Sequence, residues 1–320
     1  MKEQVLIMGG SYFIGKKIVD VLLENNYSVY TLNRGTIENT DSRIINLKCD
    51  RNNFEQMKET LMPYKFDIVI DVSGFNKFQA ELLYKSLNTA KLNVFVYISS
   101  SAVYDVENLT IPFSEDATLK ENNYWTSYGQ NKIESETYLS NNFNDPETNL
   151  IIVRPPYVYG ENNHSQRESF IFHHICNDQP IIIPNANTKL QFIYTTDLAN
   201  IIIKLCDIPL EPVSIWNVGN RKSITTIEWI ECCSKIVGKA ATVIAYDYKL
   251  HNKNEREFFP FYDYDNILDV SKINKIFSSE TDFMLGLQNS YLWYKNNQHN
   301  IIFKESITQN EQNILSKINQ

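Results

Sequence analysis

Short apolar runs alternate with amphipathic segments through the first half of the chain. The runs are rich in β-branched residues and lack polar alternation, which is typical of parallel strands covered on both faces. The predicted strands are Val5–Met8, Ser28–Leu32, Ile44–Leu47, Asp67–Asp71, Val94–Ile98 and Leu150–Val153. Between them, apolar residues at i, i+3, i+4 spacing predict helices over Phe13–Leu22, Phe54–Leu61 and Phe78–Leu87. This succession predicts an α/β fold built on a doubly wound parallel sheet.

The rhythm changes after Arg154-Pro155-Pro156, where prolines separate shorter, mixed elements. We therefore expect a first domain over residues 1–155 and mainly a smaller second domain over 156–320, with residues 190–206 returning to the first. The aromatic cluster Phe258–Tyr264 lies in the second part and is either core or pocket lining. The polar last twenty residues have helical spacing, which predicts a peripheral helix or tail.

A glycine-rich turn, Gly9-Gly10-Ser11-Tyr12-Phe13-Ile14-Gly15, lies between the first predicted strand and the first predicted helix. In that position, free helix N–H groups and the positive end of the helix dipole can hold a dinucleotide pyrophosphate. The alternative is an ordinary tight turn. The position favours a Rossmann-like, NAD(P)-binding first domain, with cofactor contacts from Gly9, Ser11, Tyr12, Phe13 and Ile14.

The residues that end the second and third strands bear on the choice of cofactor. An acidic residue after the second strand would bond the ribose 2′-hydroxyl of NAD. This chain has Asn33 and Arg34 there, and an arginine suits a 2′-phosphate, so NADP is slightly preferred over NAD. A solvent-exposed Arg34 is the alternative. Asp50 follows the third strand, where it would meet the adenine amino group or cap the helix that begins near Asn52.

Hydroxyl, phenol and amine groups follow in an order that suggests catalysis. Ser100 lies just past the strand Val94–Ile98, and Tyr128 precedes Lys132 by four residues, on one face of a helix capped by Thr126 or Ser127. A tyrosine of pKa near 10 is a poor base at pH 7, and neighbouring positive charge favours its phenolate. We expect Tyr128 to act as acid and base, Lys132 to lower its pKa and bind the nicotinamide ribose, and Ser100 to orient the carbonyl.

Over nearly its whole length the chain resembles extended short-chain dehydrogenases/reductases of the NAD-dependent epimerase/dehydratase family. Beside the glycine turn, the matching segments are Ile98–Tyr104, Tyr128 with Lys132, Arg154–Gly160, Phe192–Ala199 and Trp216–Gly219. The resemblance implies reversible hydride transfer at a secondary alcohol or ketone, with Ser100, Tyr128 and Lys132 as catalytic residues. It also implies that Pro155 and Val158 border the nicotinamide.

Several positions depart from the family pattern. Tyr12 replaces the middle glycine of the turn, and with Asn33-Arg34-Gly35 this is similar to an atypical branch that includes chloroplast RNA-binding relatives. Members of that branch often lose the tyrosine, so the presence of Tyr128 favours an enzyme. Ser101-Ala102 stands where sugar dehydratases carry Asp-Glu, which disfavours elimination of water. Tyr157 and Gln191 replace an asparagine and an arginine of many sugar-nucleotide enzymes.

Three functions are therefore open. Epimerisation of a nucleotide sugar leads on family likeness, and NADPH-dependent reduction of a small carbonyl substrate is the second reading. A non-catalytic dinucleotide- or RNA-binding protein is the third. Arg154, Arg167, Arg221 and Arg256 are candidates for an anionic substrate group, or else for structural ion pairs.

Composition narrows the partners. Thirty Lys and Arg against 38 Asp and Glu give a formal net charge of −8, which opposes nucleic-acid and anionic-membrane partners. The five cysteines and five histidines have no metal-ligand spacing, so no metal is expected. With no signal peptide and no long apolar run, we expect a cytoplasmic protein. The sequence leaves the oligomeric state open, with a homodimer as one expectation from the resemblance.

Overall fold

The structure is a computed structural model that describes residues 3–37, 39–143 and 147–318. Its strands are β1 (Gln4–Met8), β2 (Ser28–Asn33), β3 (Ile45–Lys48), β4 (Ile68–Asp71), β5 (Val94–Ile98), β6 (Asn149–Arg154), β7 (Tyr157–Tyr159), β8 (Ile181–Pro184), β9 (Lys189–Leu190), β10 (Phe192–Tyr194), β11 (Val213–Asn217), β12 (Ile224–Thr225) and β13 (Val243–Tyr246). Its helices are α1 (Phe13–Glu24), α2 (Phe54–Leu61), α3 (Lys77–Ser86), α4 (Thr126–Asn142), α5 (Glu168–Cys176), α6 (Thr195–Cys206), α7 (Thr226–Val237), α8 (Ser271–Asn274), α9 (Phe283–Asn297) and α10 (Glu305–Ile318).

A parallel sheet dominates the described residues, in the order β11-β6-β5-β4-β1-β2-β3. The predicted α/β fold is confirmed, and each of the six predicted strands has ends within one residue of the observed ones. The order in which the chain adds strands to the sheet changes sides between β1 and β4: β2 and β3 lie on one side of β1, and β4, β5 and β6 lie on the other. In doubly wound sheets the crevice at the carboxyl ends of strands beside such a reversal is where ligands bind.

Helices cover both faces of this sheet, as continuous apolar strands require. Side chains of α1 and α6 share one hydrophobic core with one face, and side chains of α2, α3 and α4 share another core with the opposite face. One apolar position of the predicted third helix is an exception. Phe78 is 54% exposed, because it lies on the side of α3 that faces solvent.

The second half of the chain adds a third hydrophobic core around short strand pairs, β7 with β10, β8 with β13 and β9 with β12. From the aromatic cluster, Phe258, Phe259 and Phe261 are buried in this core. The predicted C-terminal helix is present as α10. Within the described ranges, no helix has both the length and the apolar character needed to cross a membrane.

Candidate active site

The glycine turn brings the backbone of β1 and α1 into close contact. Gly9 has φ +88°, and a Cβ there would lie 2.7 Å from the Cβ of Ser73. A Cβ on Gly15 would lie 2.1 Å from the carbonyl oxygen of Gly9, so only glycine fits. Tyr12 precedes α1 in an extended conformation, and no side chain caps the helix start. The first N–H groups of α1 therefore have no side-chain partner among the described residues, and phosphate binding there stays a prediction.

The first cleft, of about 400 Å³, opens beside the turn at the carboxyl ends of β1, β2 and β3. It is lined by Met8, Gly9, Ser11, Tyr12, Leu32, Asn33, Arg34, Thr36, Ile37, Cys49, Asp50, Arg51, Asn52, Ser73, Phe75 and Gln79. Six of the predicted cofactor residues are among them. This is the half of the site in which the sequence analysis expects the adenosine and the pyrophosphate.

Asn33 connects the loops around the first cleft. Its amide nitrogen donates to the hydroxyl of Ser11 at 2.8 Å, and its carbonyl oxygen accepts from the backbone N–H of Gly35 at 2.7 Å. Arg34 is exposed on the rim and, within the part of the chain that the structure describes, forms neither an ion pair nor a hydrogen bond. Its guanidinium is thus available to a ligand.

The helix-capping alternative for Asp50 is wrong. The side chain of Asn53 caps α2 by accepting from the backbone N–H of Gln56, whereas Asp50 accepts from the backbone N–H of Asn52 in the preceding turn. Asp50 lines the first cleft, as its predicted contact with adenine requires.

The second cleft, of about 460 Å³, lies beyond the glycine turn at the carboxyl ends of β5 and β6. It is lined by Phe13, Ile14, Val72, Ile98, Ser99, Ser100, Ser101, Trp125, Tyr128, Lys132, Pro155, Pro156, Tyr157, Val158, Asn163, Ser165, Arg167 and Tyr262. Every predicted catalytic or cofactor-binding residue that is absent from the first cleft lies here. Because Tyr12 lines one cleft and Phe13 the other, the two meet at the start of α1.

Tyr128 lies in the first turn of α4, as expected, but the expected caps are wrong. Trp125 occupies the capping position without a side-chain cap hydrogen bond, and Thr126 begins the helix with φ +45°. The turn is instead held by buried Asn122, whose carbonyl oxygen accepts from the backbone N–H of Trp125 at 2.9 Å. Asn122 therefore positions the Tyr128 segment, a role that the sequence analysis missed.

Burial raises the pKa of Tyr128, because the phenolate would lose its hydration. Two neighbours oppose that increase: a hydrogen bond with Ser100 and the positive charge of Arg167 both lower the pKa of the phenol. The pairing of Tyr128 with Ser100 matches the predicted constellation. The effect of Arg167 was not anticipated.

Lys132 is buried on α4 and points toward β4 and β5. Its ammonium donates to the carbonyl oxygens of Gly74 at 2.6 Å and Ile98 at 2.7 Å, and lies 4.7 Å from the ring centroid of Tyr97. Burial lowers the pKa of Lys132 to about 8, although the charge of Asp71 partly offsets this. The described contacts do not include Tyr128, so the lowering of the Tyr128 pKa by Lys132 stays a prediction.

An ion pair that no sequence pattern predicted lies in the wall of the first cleft. Both terminal nitrogens of Arg51 donate to the buried carboxylate of Asp71 at 2.9 Å, and one also donates to the hydroxyl of Ser73 at 2.6 Å. Asp71 ends β4, at the point where the sheet order reverses. The sequence shows the carboxylate of Asp71 at the end of a predicted strand, but its partner Arg51 follows β3, so no local pattern joins the two.

Two of the four candidate arginines are structural. Arg154 is 1% exposed and forms a bidentate pair with Glu136 at 3.0 and 2.6 Å. Arg221 lies near Glu280 on the surface. These two are therefore excluded as binding groups for an anionic substrate.

Two clefts thus meet at a glycine turn, and one of them contains a serine, a tyrosine and a lysine. Comparison with known proteins identifies the family. Residues 5–219 match the model of the NAD dependent epimerase/dehydratase family. The chain belongs to that family. The fold likewise agrees with that of solved UDP-glucose 4-epimerases.

Individual relatives of this family member have diverse functions. A chloroplast stem-loop binding protein of 41 kDa from Arabidopsis thaliana is 26% identical over 308 residues, covering 91% of this chain and 79% of that protein. The dTDP-4-dehydro-6-deoxyglucose reductase of Escherichia coli is 26% identical, covering 78% and 86%. The UDP-glucose 4-epimerase of Bifidobacterium longum, solved with NAD⁺ and UDP, has a TM-score of 0.77 at 16% identity, covering 93% and 100%.

Proposed function

We propose that this protein is an NAD-dependent enzyme that epimerises a nucleotide sugar by reversible hydride transfer at a secondary alcohol. The observation that carries the proposal is the convergence of Ser100, Tyr128 and Lys132 on one cleft that adjoins the glycine turn. The solved epimerase that binds NAD⁺ and UDP on the same fold supports the choice of ligands. A chain that only bound a nucleotide would not need a buried phenol beside a serine hydroxyl.

The residues present fit a dinucleotide. The free start of α1 and the close approach allowed by Gly9 would hold the pyrophosphate, and the first cleft would hold the adenosine, with Asp50 and Asn33 in its wall. The second cleft would hold the nicotinamide end near Pro155 and Val158. When bound there, the nicotinamide would supply the acceptor and donor of hydride.

The proton chemistry falls to this chain's own residues. Ser100 would hydrogen-bond the reacting oxygen, and Tyr128 would take the hydroxyl proton as the carbon gives up hydride. Tyr128 would return the proton to the same oxygen after hydride is delivered to the opposite face of the carbon. Lys132 would bind the nicotinamide ribose through the third N–H of its ammonium, since the carbonyl oxygens of Gly74 and Ile98 accept from the other two.

Net reduction of a carbonyl by NADPH is the second candidate. It is favoured by Arg34 on the rim of the first cleft, because an arginine without an ion-pair partner in the described residues can bind the 2′-phosphate of NADPH.

An isotope experiment distinguishes epimerisation from net reduction. An epimerase keeps the hydride on its own bound cofactor, so deuterium from added NADPH or NADH stays out of the product. A reductase transfers that label to a stable alcohol. The experiment uses UDP-glucose, followed by mass spectrometry, with dTDP-4-dehydro-6-deoxyglucose as the reductase substrate and Tyr128→Phe as the inactive control for both.

Two further expectations belong to this proposal. We expect a homodimer and a cytoplasmic location. Light scattering after size-exclusion chromatography tests the first, and fractionation of cells that express the chain tests the second.

A further inference from the structure

The second cleft has an electrostatic character opposite to that of the whole chain. The protein has a net charge of −8, yet none of the described residues that line this cleft is an aspartate or a glutamate. Its charged side chains are Lys132 and Arg167. A site of this kind favours an anionic ligand, because the fixed charges are poorly screened inside a cleft.

Arg167 is held without an acidic partner. Its guanidinium carbon lies 5.6 Å from the ring centroid of Tyr157, and one terminal nitrogen makes a long contact of 3.4 Å with the carbonyl oxygen of Val158. Within the described residues, no carboxylate comes within ion-pair distance. The adjacent Glu168 is directed elsewhere, since its oxygens accept from Gly160 and Asn163.

Arg256 repeats this arrangement next to Arg167. It lies 4.8 Å from the ring centroid of Tyr262, donates to the carbonyl oxygen of Pro260 at 2.5 Å, and likewise lacks an ion-pair partner in the described residues. The backbone N–H of Tyr262 donates to the hydroxyl of Tyr157 at 3.3 Å, so the two aromatic supports adjoin. After burial, the charge of Arg256 is the main influence that lowers the pKa of Arg167. An anion bound beside both guanidinium groups would offset the repulsion between their like charges.

We propose that Arg167, supported by Arg256, binds a carboxylate carried by the reacting sugar, so that the substrate is the nucleotide of a sugar acid. The proposal rests on the proposed function and names its substrate class. Arg167 shares the cleft wall with Ser100 and Tyr128, which places its forked guanidinium at the reacting end of the site. A planar guanidinium matches the two oxygens of a carboxylate.

The test compares UDP-glucuronate with UDP-glucose, which share the nucleotide and the diphosphate and differ in a carboxylate against a hydroxymethyl group. We expect the wild-type enzyme to epimerise UDP-glucuronate with the higher kcat/KM. Arg167→Gln should raise KM for UDP-glucuronate about tenfold or more and leave KM for UDP-glucose nearly unchanged. Arg167→Lys should retain part of the affinity.

Arg221→Gln, on the surface, is the matched control and should change neither KM. Unchanged NAD affinity and melting temperature in Arg167→Gln would show that the variant folds. Equal loss of both substrates in Arg167→Gln overturns the proposal, because the arginine would then serve the shared diphosphate. A wild-type preference for UDP-glucose also overturns it but leaves epimerisation intact. Turnover of neither substrate overturns the nucleotide-sugar function together with this proposal.

Discussion

Tyr128 concentrates the chemistry of the candidate site in one hydroxyl group. Burial disfavours its phenolate, and the Ser100 hydroxyl and the Arg167 charge favour it. Tyr128→Phe removes the proton-transfer group and keeps the ring that packs near Phe75 and Trp125. We expect kcat to fall about 10²- to 10⁴-fold, with NAD affinity nearly unchanged by calorimetric titration. Full activity in this variant would favour a non-catalytic binding protein.

Glu168 is a buried acid next to the second cleft, and its ionisation should make folding depend on pH. Burial raises the pKa of Glu168 from 4.5 to about 7. The folded state thus binds the proton more tightly than the unfolded state. The resulting stabilisation is fully present below about pH 4.5 and is lost as the pH rises to about 7, a change of about 3 kcal/mol.

Glu168→Gln should remove this contribution to the pH dependence. We expect the difference in free energy of unfolding between the wild type and this variant to change between pH 4.5 and 7, measured by urea denaturation. Glu121→Gln, at an exposed carboxylate, is the control and should give a constant difference. A constant difference for Glu168→Gln as well would mean that Glu168 ionises normally in the folded protein.

Site residues could be predicted from the sequence where a short local pattern contains them. The glycine turn, the serine after β5 and the four-residue spacing of Tyr128 and Lys132 are patterns of this kind. The pairing of Arg51 with Asp71 and the hold of Asn122 on the start of α4 join separate loops, so no local pattern reveals them. The direction of Lys132 was missed for the same reason, because its carbonyl partners come from β5 and from the loop after β4.

We expect the loop that follows β2 to discriminate between NAD and NADP. Arg34 is exposed on the rim of the first cleft and free of described partners, whereas Asn33 is occupied by Ser11 and Gly35. If the protein uses NADP, Arg34→Ala should weaken NADP binding about tenfold and leave NAD binding unchanged, because only NADP carries the 2′-phosphate. Titration of wild type and variant with both cofactors measures this. Equal affinities in the two proteins would assign Arg34 to solvent.

The glycine turn also contacts the loop that follows β7. The ring of Tyr12 stacks on His164, with centroids 4.3 Å apart and planes at 21°, and His164 is fixed by the carbonyl oxygen of Asn300 at 3.0 Å. We expect this contact to slow the release of NAD bound along the turn. Tyr12→Gly should accelerate release about 2- to 10-fold, since a ring pair contributes about 0.5–1.5 kcal/mol.

Tyr12→Phe keeps the stacked ring and serves as the control, with stopped-flow displacement of bound NADH as the measurement. Slower release from Tyr12→Gly would instead mean that the tyrosine obstructs the cofactor.

Among the strands, those with buried side chains on both faces were the easiest to predict from the sequence. The predicted central strands β1, β4, β5 and β6 are covered by helices on both faces, so they carry nearly unbroken apolar runs. The edge strand β3 is largely exposed and alternates apolar with polar residues, yet it was short enough to be recognised as a strand. The edge strand β11 was missed because Ser214 and Asn217 interrupt its pattern. The two-residue strands β9 and β12 have no periodicity to detect, and only the chain around them specifies their pairing.

At the scale of the whole molecule, the net negative charge disfavours an RNA-binding role of the kind named for the Arabidopsis relative. The net charge is −8, and several lysines are neutralised by neighbouring carboxylates, including Lys85 by Glu81, Lys91 by Asp67 and Lys239 by Asp178. RNA affinity depends on unpaired positive charge that displaces counterions, and binding driven by it weakens steeply with salt.

We therefore expect stem-loop RNA to bind no more tightly than about 10⁻⁴–10⁻⁶ M at physiological salt, measured by fluorescence anisotropy. NAD should not compete, because any weak binding would be spread over the surface rather than seated in the first cleft. Nanomolar binding that NAD displaces would place RNA in the first cleft, where Arg34 has no ion-pair partner among the described residues. That result would favour the RNA-binding alternative even in a chain that retains Tyr128 and Lys132.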